Sequence, residues 1–138
     1  DETFQIGKAY VLQEGTDVTI IACGPLVYEA LIAARELKKE KISAEVINCP
    51  TIKPLDIKTI LASVKKTRAV VTVEEHQITG GFGGAVAEFL AKVYPVPIEF
   101  IGVQNQFGQS GTPRELLEYF HLTAPWIEKA VAKVLKRK

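Results

Sequence analysis

The chain has 138 residues, of which 47% are hydrophobic and 24% are charged, a balance typical of one soluble globular domain. Its 17 basic and 16 acidic residues leave a net charge of +1, so no long-range field attracts nucleic acid or an anionic membrane surface. No apolar run approaches the roughly 20 residues of a membrane-spanning helix, and no basic segment of a signal peptide opens the chain.

The two cysteines, Cys23 and Cys49, each lie in or beside an apolar run and are far apart in the sequence. This placement favours two buried thiols in a reducing compartment over a disulfide, so a cytoplasmic location is expected. The chain starts without methionine and contains none, which suggests a piece of a longer protein.

Three strands and two helices are predicted in the first half of the chain. Val18 to Cys23 is almost continuously apolar, and Gly24-Pro25 ends this strand and puts proline in the first turn of a helix. Ala44 to Ile47 is a second strand, and Asp56 is predicted to cap the following helix. Ala9 to Leu12 is a short candidate edge strand. The two helices have apolar faces made of Val27, Ala30, Leu31, Ala34 and Leu37, and of Ile57, Ile60, Leu61 and Val64.

The second half repeats the alternation. Ala69 to Val73 and Pro97 to Ile101 are predicted strands, and Thr112-Pro113-Arg114-Glu115 is a capping box that opens a short helix. Thr123 is predicted to cap the last helix. The apolar faces of these three helices are Val86, Phe89, Leu90 and Val93, then Leu116, Leu117 and Phe120, then Ile127, Val131, Val134 and Leu135. Alternating strands and helices predict a single α/β domain over residues 1–138, with a mostly parallel sheet covered on both faces.

The densest cluster of candidate functional residues follows a predicted central strand and runs into a helix: Glu74-Glu75-His76-Gln77-Ile78-Thr79-Gly80-Gly81-Phe82-Gly83-Gly84. Ligands favour this position in open α/β sheets, and glycines let the backbone approach a phosphate at a helix N-terminus. However, Val86 stands where a dinucleotide-binding motif needs its third glycine, and no Gly-Lys-Ser/Thr follows for a P-loop.

Two interpretations of this cluster stay open. Either the glycines form an anion-binding loop, or they allow a tight strand-to-helix turn and close packing against a neighbouring subunit or domain. Strand alternation sends Glu74 and Glu75 to opposite sides, and a single histidine without a second ligand at metal spacing is typical of an interface. The candidate interface or anion loop therefore comprises Glu75, His76, Gly80, Gly81, Gly83 and Gly84.

Several segments, in this order, resemble the C-terminal domain of transketolase. They are Phe4 to Ala9, Gly15 to Ala22, Thr51-Ile52-Lys53-Pro54-Leu55-Asp56, Val73-Glu74-Glu75-His76 with its glycines, Phe107-Gly108-Gln109-Ser110-Gly111 and Glu115-Leu116-Leu117. The C-terminal domains of 1-deoxyxylulose-5-phosphate synthase and of the β subunits of 2-oxoacid dehydrogenases are similar alternatives. The resemblance implies a three-layer α/β/α domain with a five-stranded sheet, in which one edge strand is antiparallel.

The resemblance also implies that the catalytic site lies in other domains of the enzyme. In the family, thiamine diphosphate and magnesium bind between other domains, so no catalytic, cofactor-binding or metal-binding residue carries over to this chain. The expected partners are the other transketolase domains and a second copy in a homodimer, with sugar phosphates as substrates of the full enzyme. The domain alone is expected to be inactive. A stand-alone module that binds an anion or nucleotide through the glycine loop is the alternative of another class.

Overall fold

The computed structural model describes residues 5–50, 53–77, 81–103 and 111–138. The strands are β1 (Tyr10–Gln13), β2 (Val18–Ala22), β3 (Ala44–Asn48), β4 (Val70–Gln77) and β5 (Ile98–Val103). The helices are α1 (Leu26–Lys39), α2 (Ile57–Thr67), α3 (Phe82–Val93), α4 (Pro113–Tyr119) and α5 (Ala124–Lys136).

The five strands form one sheet in the order β1-β3-β2-β4-β5. β2 pairs in parallel with β3 and β4, and β4 pairs in parallel with β5. β1 runs antiparallel to β3 at the edge, which confirms the fold that the resemblance implies. Every residue of β2 is buried, as expected for a central strand that is covered on both faces.

Two separate cores cover the two faces of the sheet. On one face, α1 and α5 pack over a cluster that includes Val18, Ile20, Ala30, Leu37, Val46, Val71, Ile127, Val131 and Val134. On the other face, α2 and α3 pack over a cluster that includes Ile21, Ile47, Cys49, Ile60, Val64, Val70, Phe82, Val86 and Leu90. The domain is therefore a three-layer α/β/α sandwich.

Two predicted helix caps are confirmed. The Asp56 carboxylate accepts a hydrogen bond from the backbone N–H of Thr59 at 3.1 Å, and so caps α2. At the start of α4 the Thr112 hydroxyl accepts from Glu115 N, and Glu115 Oε1 accepts from Thr112 N at 2.8 Å. Both caps satisfy N–H groups that have no partner inside their own helix.

Other local predictions are wrong in detail. Thr123 occupies the N-cap position of α5, but its hydroxyl donates to Glu118 at 2.9 Å and makes no cap bond to the helix. Val93 is 50% exposed and does not belong to the apolar face of α3. Pro25 precedes α1 as its N-cap residue instead of lying in the first turn. β4 continues past Val73 to Gln77, with an irregular register against β5 between Val73 and Gln77.

None of the helices in the part of the chain that the structure describes is long and apolar enough to cross a membrane.

Gly15 lies against the backbone where β3 begins. A Cβ added at Gly15 would lie 2.2 Å from the carbonyl carbon of Ala44, and the Gly15 N–H donates to Glu45 Oε1 at 2.9 Å. The same carboxylate oxygen binds Lys66 Nζ at 2.5 Å. Burial alone would raise the pKa of Glu45, but hydrogen bonds from Lys66 and Gly15 outweigh burial and hold this pKa below its usual value. Gly15 thus brings a backbone donor to a buried carboxylate.

We predict that Gly15→Ala lowers the free energy of unfolding by about 3 kcal/mol or more, because the methyl group would overlap backbone atoms that have no freedom to move aside. Gly24→Ala is the matched control: Gly24 has a φ of +73° but no atom within 4 Å of its Cβ position. Its cost should be about 1 kcal/mol, from the left-handed backbone alone. Urea unfolding of both variants measures the difference, and equal losses would contradict the packing argument.

Candidate functional site

The carboxyl ends of β2, β4 and β5 meet at one edge of the sheet. After β2 the chain passes into α1 on one face, and after β4 it passes into α3 on the opposite face. Such a change of direction between neighbouring parallel strands opens a crevice, and ligands of α/β proteins commonly bind there. The sequence cluster around Glu75 lies at this edge.

Glu74 faces α3 and is 1% exposed. Its Oε1 accepts a hydrogen bond from Phe82 N at 2.8 Å, and its Oε2 accepts from Gly83 N at 2.7 Å. Phe82 and Gly83 are the first two residues of α3, whose N–H groups have no partner within the helix. The carboxylate also places a negative charge at the positive end of the helix dipole. Glu74 is therefore the cap of α3, supplied by the strand that precedes the helix.

Gly83 is buried and packs against its own sheet. A Cβ at this position would lie 2.6 Å from Thr72 Oγ1 and 2.9 Å from Phe100 Cδ1. Glycine here lets α3 approach β4 and β5 closely, so this glycine serves the domain's own packing.

The other glycines of the cluster take different positions. Gly81 is the N-cap residue of α3, with an extended backbone at φ −94° and ψ −164°. Gly84 is partly exposed, and together with Gly81, Ala85 and Glu88 it lines a shallow hollow of about 340 Å³. Gly80 lies outside the described residues. Gly81 and Gly84 are thus the glycines that the structure leaves accessible at this end of α3.

Glu75 is exposed and lines a groove on the opposite face from Glu74. The groove has a volume of about 420 Å³ and is otherwise apolar; its other lining residues are Pro25, Leu26, Val103, Leu116, Leu117, Phe120 and Leu122. The backbone of His76 continues β4, and its side chain lies outside the described part of the structure. The predicted separation of Glu74 and Glu75 is confirmed: one carboxylate is buried as a helix cap and the other faces solvent.

Cys23 follows β2 at the same edge and is half-buried. Burial raises the pKa of its thiol, and the negative charges of Glu74 and Glu75 raise it further. The thiol is therefore protonated near neutral pH and is a weak nucleophile in that range.

A bound anion at the start of α3 would be repelled by the negative charge of the Glu74 carboxylate. Glu74 already occupies the first two N–H groups of α3, which are the donors that a phosphate at a helix N-terminus would use. Within the described ranges, no group of three or more His, Cys, Asp and Glu side chains is arranged to hold a metal ion. The first two N–H donors of α3 are therefore taken up by a carboxylate of the same chain.

Sequence reasoning missed a second buried carboxylate of the same kind. Glu29 on α1 is 4% exposed, and its Oε1 accepts from Ala124 N, at the start of α5, at 2.8 Å. Its Oε2 binds Arg114 Nη1 at 2.8 Å. The sequence signal is a charged residue on an otherwise apolar helix face, but its partners are 85 and 95 residues away.

The chain is similar in sequence to known proteins over nearly its whole length. A family model described as the C-terminal domain of transketolase matches residues 7–127. A 6-deoxy-6-sulfo-D-fructose transketolase subunit of Clostridium sp. (strain MSTE9) is 47% identical over 138 residues, which is 100% of this chain and 43% of that subunit. A 1-deoxy-D-xylulose-5-phosphate synthase of Halothermothrix orenii is 38% identical over 96% of this chain and 21% of its own length.

A solved structure described as an inactive β4 tetramer of a split-gene transketolase is similar in shape as well as sequence. It matches with a TM-score of 0.94 and 46% identity, over 98% of this chain and 44% of the solved chain. The chain therefore spans less than half the length of each of these relatives.

We predict that Glu74→Gln lowers the free energy of unfolding by about 2 kcal/mol, because the amide keeps the volume but loses the charge and turns a donor toward one of the two N–H groups. Glu75→Gln, on the exposed neighbour, should change it by less than about 0.5 kcal/mol. Urea unfolding of the two variants gives the comparison. A Glu74→Gln variant as stable as Glu75→Gln would rule out the capping role.

Proposed function

The chain belongs to the transketolase C-terminal domain family, and from this membership we propose that it is the assembly domain of a transketolase. The observation that carries the proposal is the match along nearly the whole chain, combined with a length of only 43% of the related subunit. We propose that residues 1–138 form one domain of a longer protein or of a subunit with a separate partner chain.

The complete enzyme, on this proposal, moves a two-carbon ketol unit from a ketose phosphate to an aldose phosphate, as in the pentose phosphate pathway of the cytoplasm. Thiamine diphosphate, bound with magnesium, would supply the carbanion chemistry of that transfer. The relative named as a transketolase subunit and the solved split-gene transketolase support this reaction class.

The start of α3 does not fit the diphosphate of that cofactor. Glu74 takes up the N–H donors at the start of α3 and puts a carboxylate where a diphosphate would need positive charge. The described residues also lack a group of acidic, cysteine or histidine side chains arranged for a metal. We therefore assign the cofactor to the other domains of the parent protein and derive no chemical step for this chain.

The contact surface that we propose for those domains includes Glu75, His76, Gly80, Gly81 and Gly84. Glu75 is an exposed carboxylate beside an apolar groove, a combination that suits a partner surface with apolar side chains and a basic group. Gly83, the remaining member of the predicted cluster, supports this surface from inside the domain. A second copy of the parent is a further proposed partner, and the tetrameric assembly of the solved relative supports association between copies.

Deoxyxylulose-phosphate synthesis is the alternative reaction, because a synthase of that kind is 38% identical to this chain. The decarboxylation catalysed by 2-oxoacid dehydrogenases is a third. Assays of the full-length parent with the three sets of substrates distinguish these reactions, since all use the same cofactor but different acceptors.

We predict that Glu75→Ala, His76→Ala and Gly81→Ala each weaken binding between this chain and the rest of the parent, expressed as a separate polypeptide. The expected loss is at least tenfold in the dissociation constant, which corresponds to about 1.4 kcal/mol. Gly81→Ala tests contact without backbone strain, because its extended backbone suits any residue. Calorimetric titration measures the affinity, and transfer activity should fall with it.

Glu14→Ala is the matched control for this experiment. Glu14 is also exposed, but it lies between β1 and β2, near the opposite edge of the sheet. Its replacement should leave affinity and activity unchanged. If the three variants at the carboxyl edge behave like Glu14→Ala, the assembly surface lies elsewhere.

We also predict that the 138-residue chain alone binds neither thiamine diphosphate with Mg²⁺ nor sugar phosphates or nucleotides at millimolar concentration, because Glu74 blocks the anion-binding position. Isothermal calorimetry tests each ligand in turn. Stoichiometric binding of a nucleotide or sugar phosphate would support the stand-alone binding module instead. Stoichiometric binding of thiamine diphosphate would refute the assignment of the cofactor to other domains.

A further inference from the structure

The two cysteines, distant in sequence, lie side by side in the sheet. β2 and β3 are parallel, and their last paired residues are Ala22 and Asn48. The backbone N–H of Cys49 then donates to Ala22 O at 2.9 Å, which continues this register by one residue. In a parallel ladder, this bond makes Cys23 the direct neighbour of Cys49.

Both side chains point to the same face of the sheet. Ile21 and Ile47 are register partners in the core beneath α2 and α3, and each cysteine follows its isoleucine by two residues. Side chains two residues apart share a face, and Cys23 and Cys49 both contact that core. Neighbouring strands lie about 4.8 Å apart, within the roughly 4.4 to 6.8 Å that separates the Cα atoms of disulfide-bonded cysteines.

The backbone at this point has room to adjust. Both cysteines stand just past the ends of their strands, and the bonds from Cys49 N to Ala22 O and from Cys23 N to Val73 O lie at the end of the ladder. Gly24 follows Cys23 with no atom within 4 Å of its Cβ position, and Pro50 follows Cys49 at an exposed position. We expect these two neighbouring residues to allow the small backbone shift that a bond between the sulfur atoms needs.

The two thiols differ in access. Cys23 is half-buried, whereas Cys49 is 1% exposed. A small reagent can therefore reach Cys23 first, and Cys49 is positioned beside it to react second. Neither thiol is part of a disulfide in the structure.

We propose that Cys23 and Cys49 form a two-thiol modification site, which a small organic disulfide converts into an intramolecular disulfide. The Cys23 thiol loses its proton and attacks one sulfur of the reagent, which forms a mixed disulfide and releases one reagent thiolate. The deprotonated Cys49 thiol then attacks Cys23 Sγ, forms the Cys23–Cys49 bond and releases the second thiolate. Two protein thiols are oxidised and one reagent disulfide is reduced to two thiols, which take up the two protons.

The raised pKa of Cys23 makes the first step slow at neutral pH and faster in alkaline solution. Two acidic side chains, Glu74 and Glu75, contribute to this effect beside burial. The bond would tie the end of β2 to the end of β3 at the edge of the sheet that carries Glu75. A thiol reductant would reverse it.

The experiment treats the whole chain with 2-hydroxyethyl disulfide at alkaline pH and follows its intact mass. The expected product has lost two hydrogen atoms, retains no titratable thiol after denaturation and yields a Cys23–Cys49 cross-linked peptide on digestion. Cys49→Ala should instead accumulate a stable mercaptoethanol adduct on Cys23. Cys23→Ala should stay unmodified while folded, because Cys49 is buried.

The wild-type mass decides the question even if a variant fails to fold. A wild-type chain that keeps a mixed adduct, forms disulfide-linked pairs of chains or retains both thiols would overturn the proposal. A return to two titratable thiols after treatment with dithiothreitol confirms that the lost hydrogens came from a disulfide.

Discussion

The two hydrogen bonds between the Glu74 carboxylate and the first two backbone N–H groups of α3 determine which ligands this end of the domain can accept. A buried carboxylate is costly unless its oxygens are hydrogen-bonded, and here each oxygen accepts from one helix donor. The strand and the helix that follows it are joined by charge-assisted bonds in addition to the chain itself. One oxygen of Glu29, on α1, likewise accepts from Ala124 N at the start of α5, and the other binds Arg114. Two of the helices are thus capped from inside the core.

These caps explain why the carboxyl edge of this sheet differs from that of a nucleotide-binding α/β domain. In such domains, the helix N-terminus beside the sheet offers its N–H groups to a phosphate. Here the protein's own carboxylate satisfies those donors, and Glu75 adds a second negative charge close by. The position that usually binds a ligand is present here, but the Glu74 carboxylate occupies its N–H donors. An edge of this kind suits contact with protein surfaces better than contact with phosphates.

The parts of the fold that depend on neighbouring residues were predictable from the sequence. Asp56 and Thr112 cap helices through residues three positions away, so their spacing alone identifies them. Strand alternation also placed Glu74 and Glu75 on opposite faces. The cap that Glu74 provides was not predictable, because a Glu inside a strand pattern carries no sign that its carboxylate bonds to a helix eight residues later. Contacts set by strand order were also not predictable: the sequence analysis noted only that Cys23 and Cys49 are far apart along the chain, whereas the register of β2 and β3 makes them neighbours.

The Glu74 cap also orders the surface that we propose as the contact with the rest of the enzyme. A surface that is ordered before association loses less conformational entropy on binding than one that must order on contact. Glu74 holds the start of α3 to the end of β4, and Gly83 lets the helix lie directly on the sheet. Glu75 and Gly84 each follow a residue of this junction in the chain, so their backbones are held in place by the same contacts. On the proposed assembly role, the buried Gly83 affects affinity only by placing its neighbours, whereas Gly84 itself is accessible to a partner.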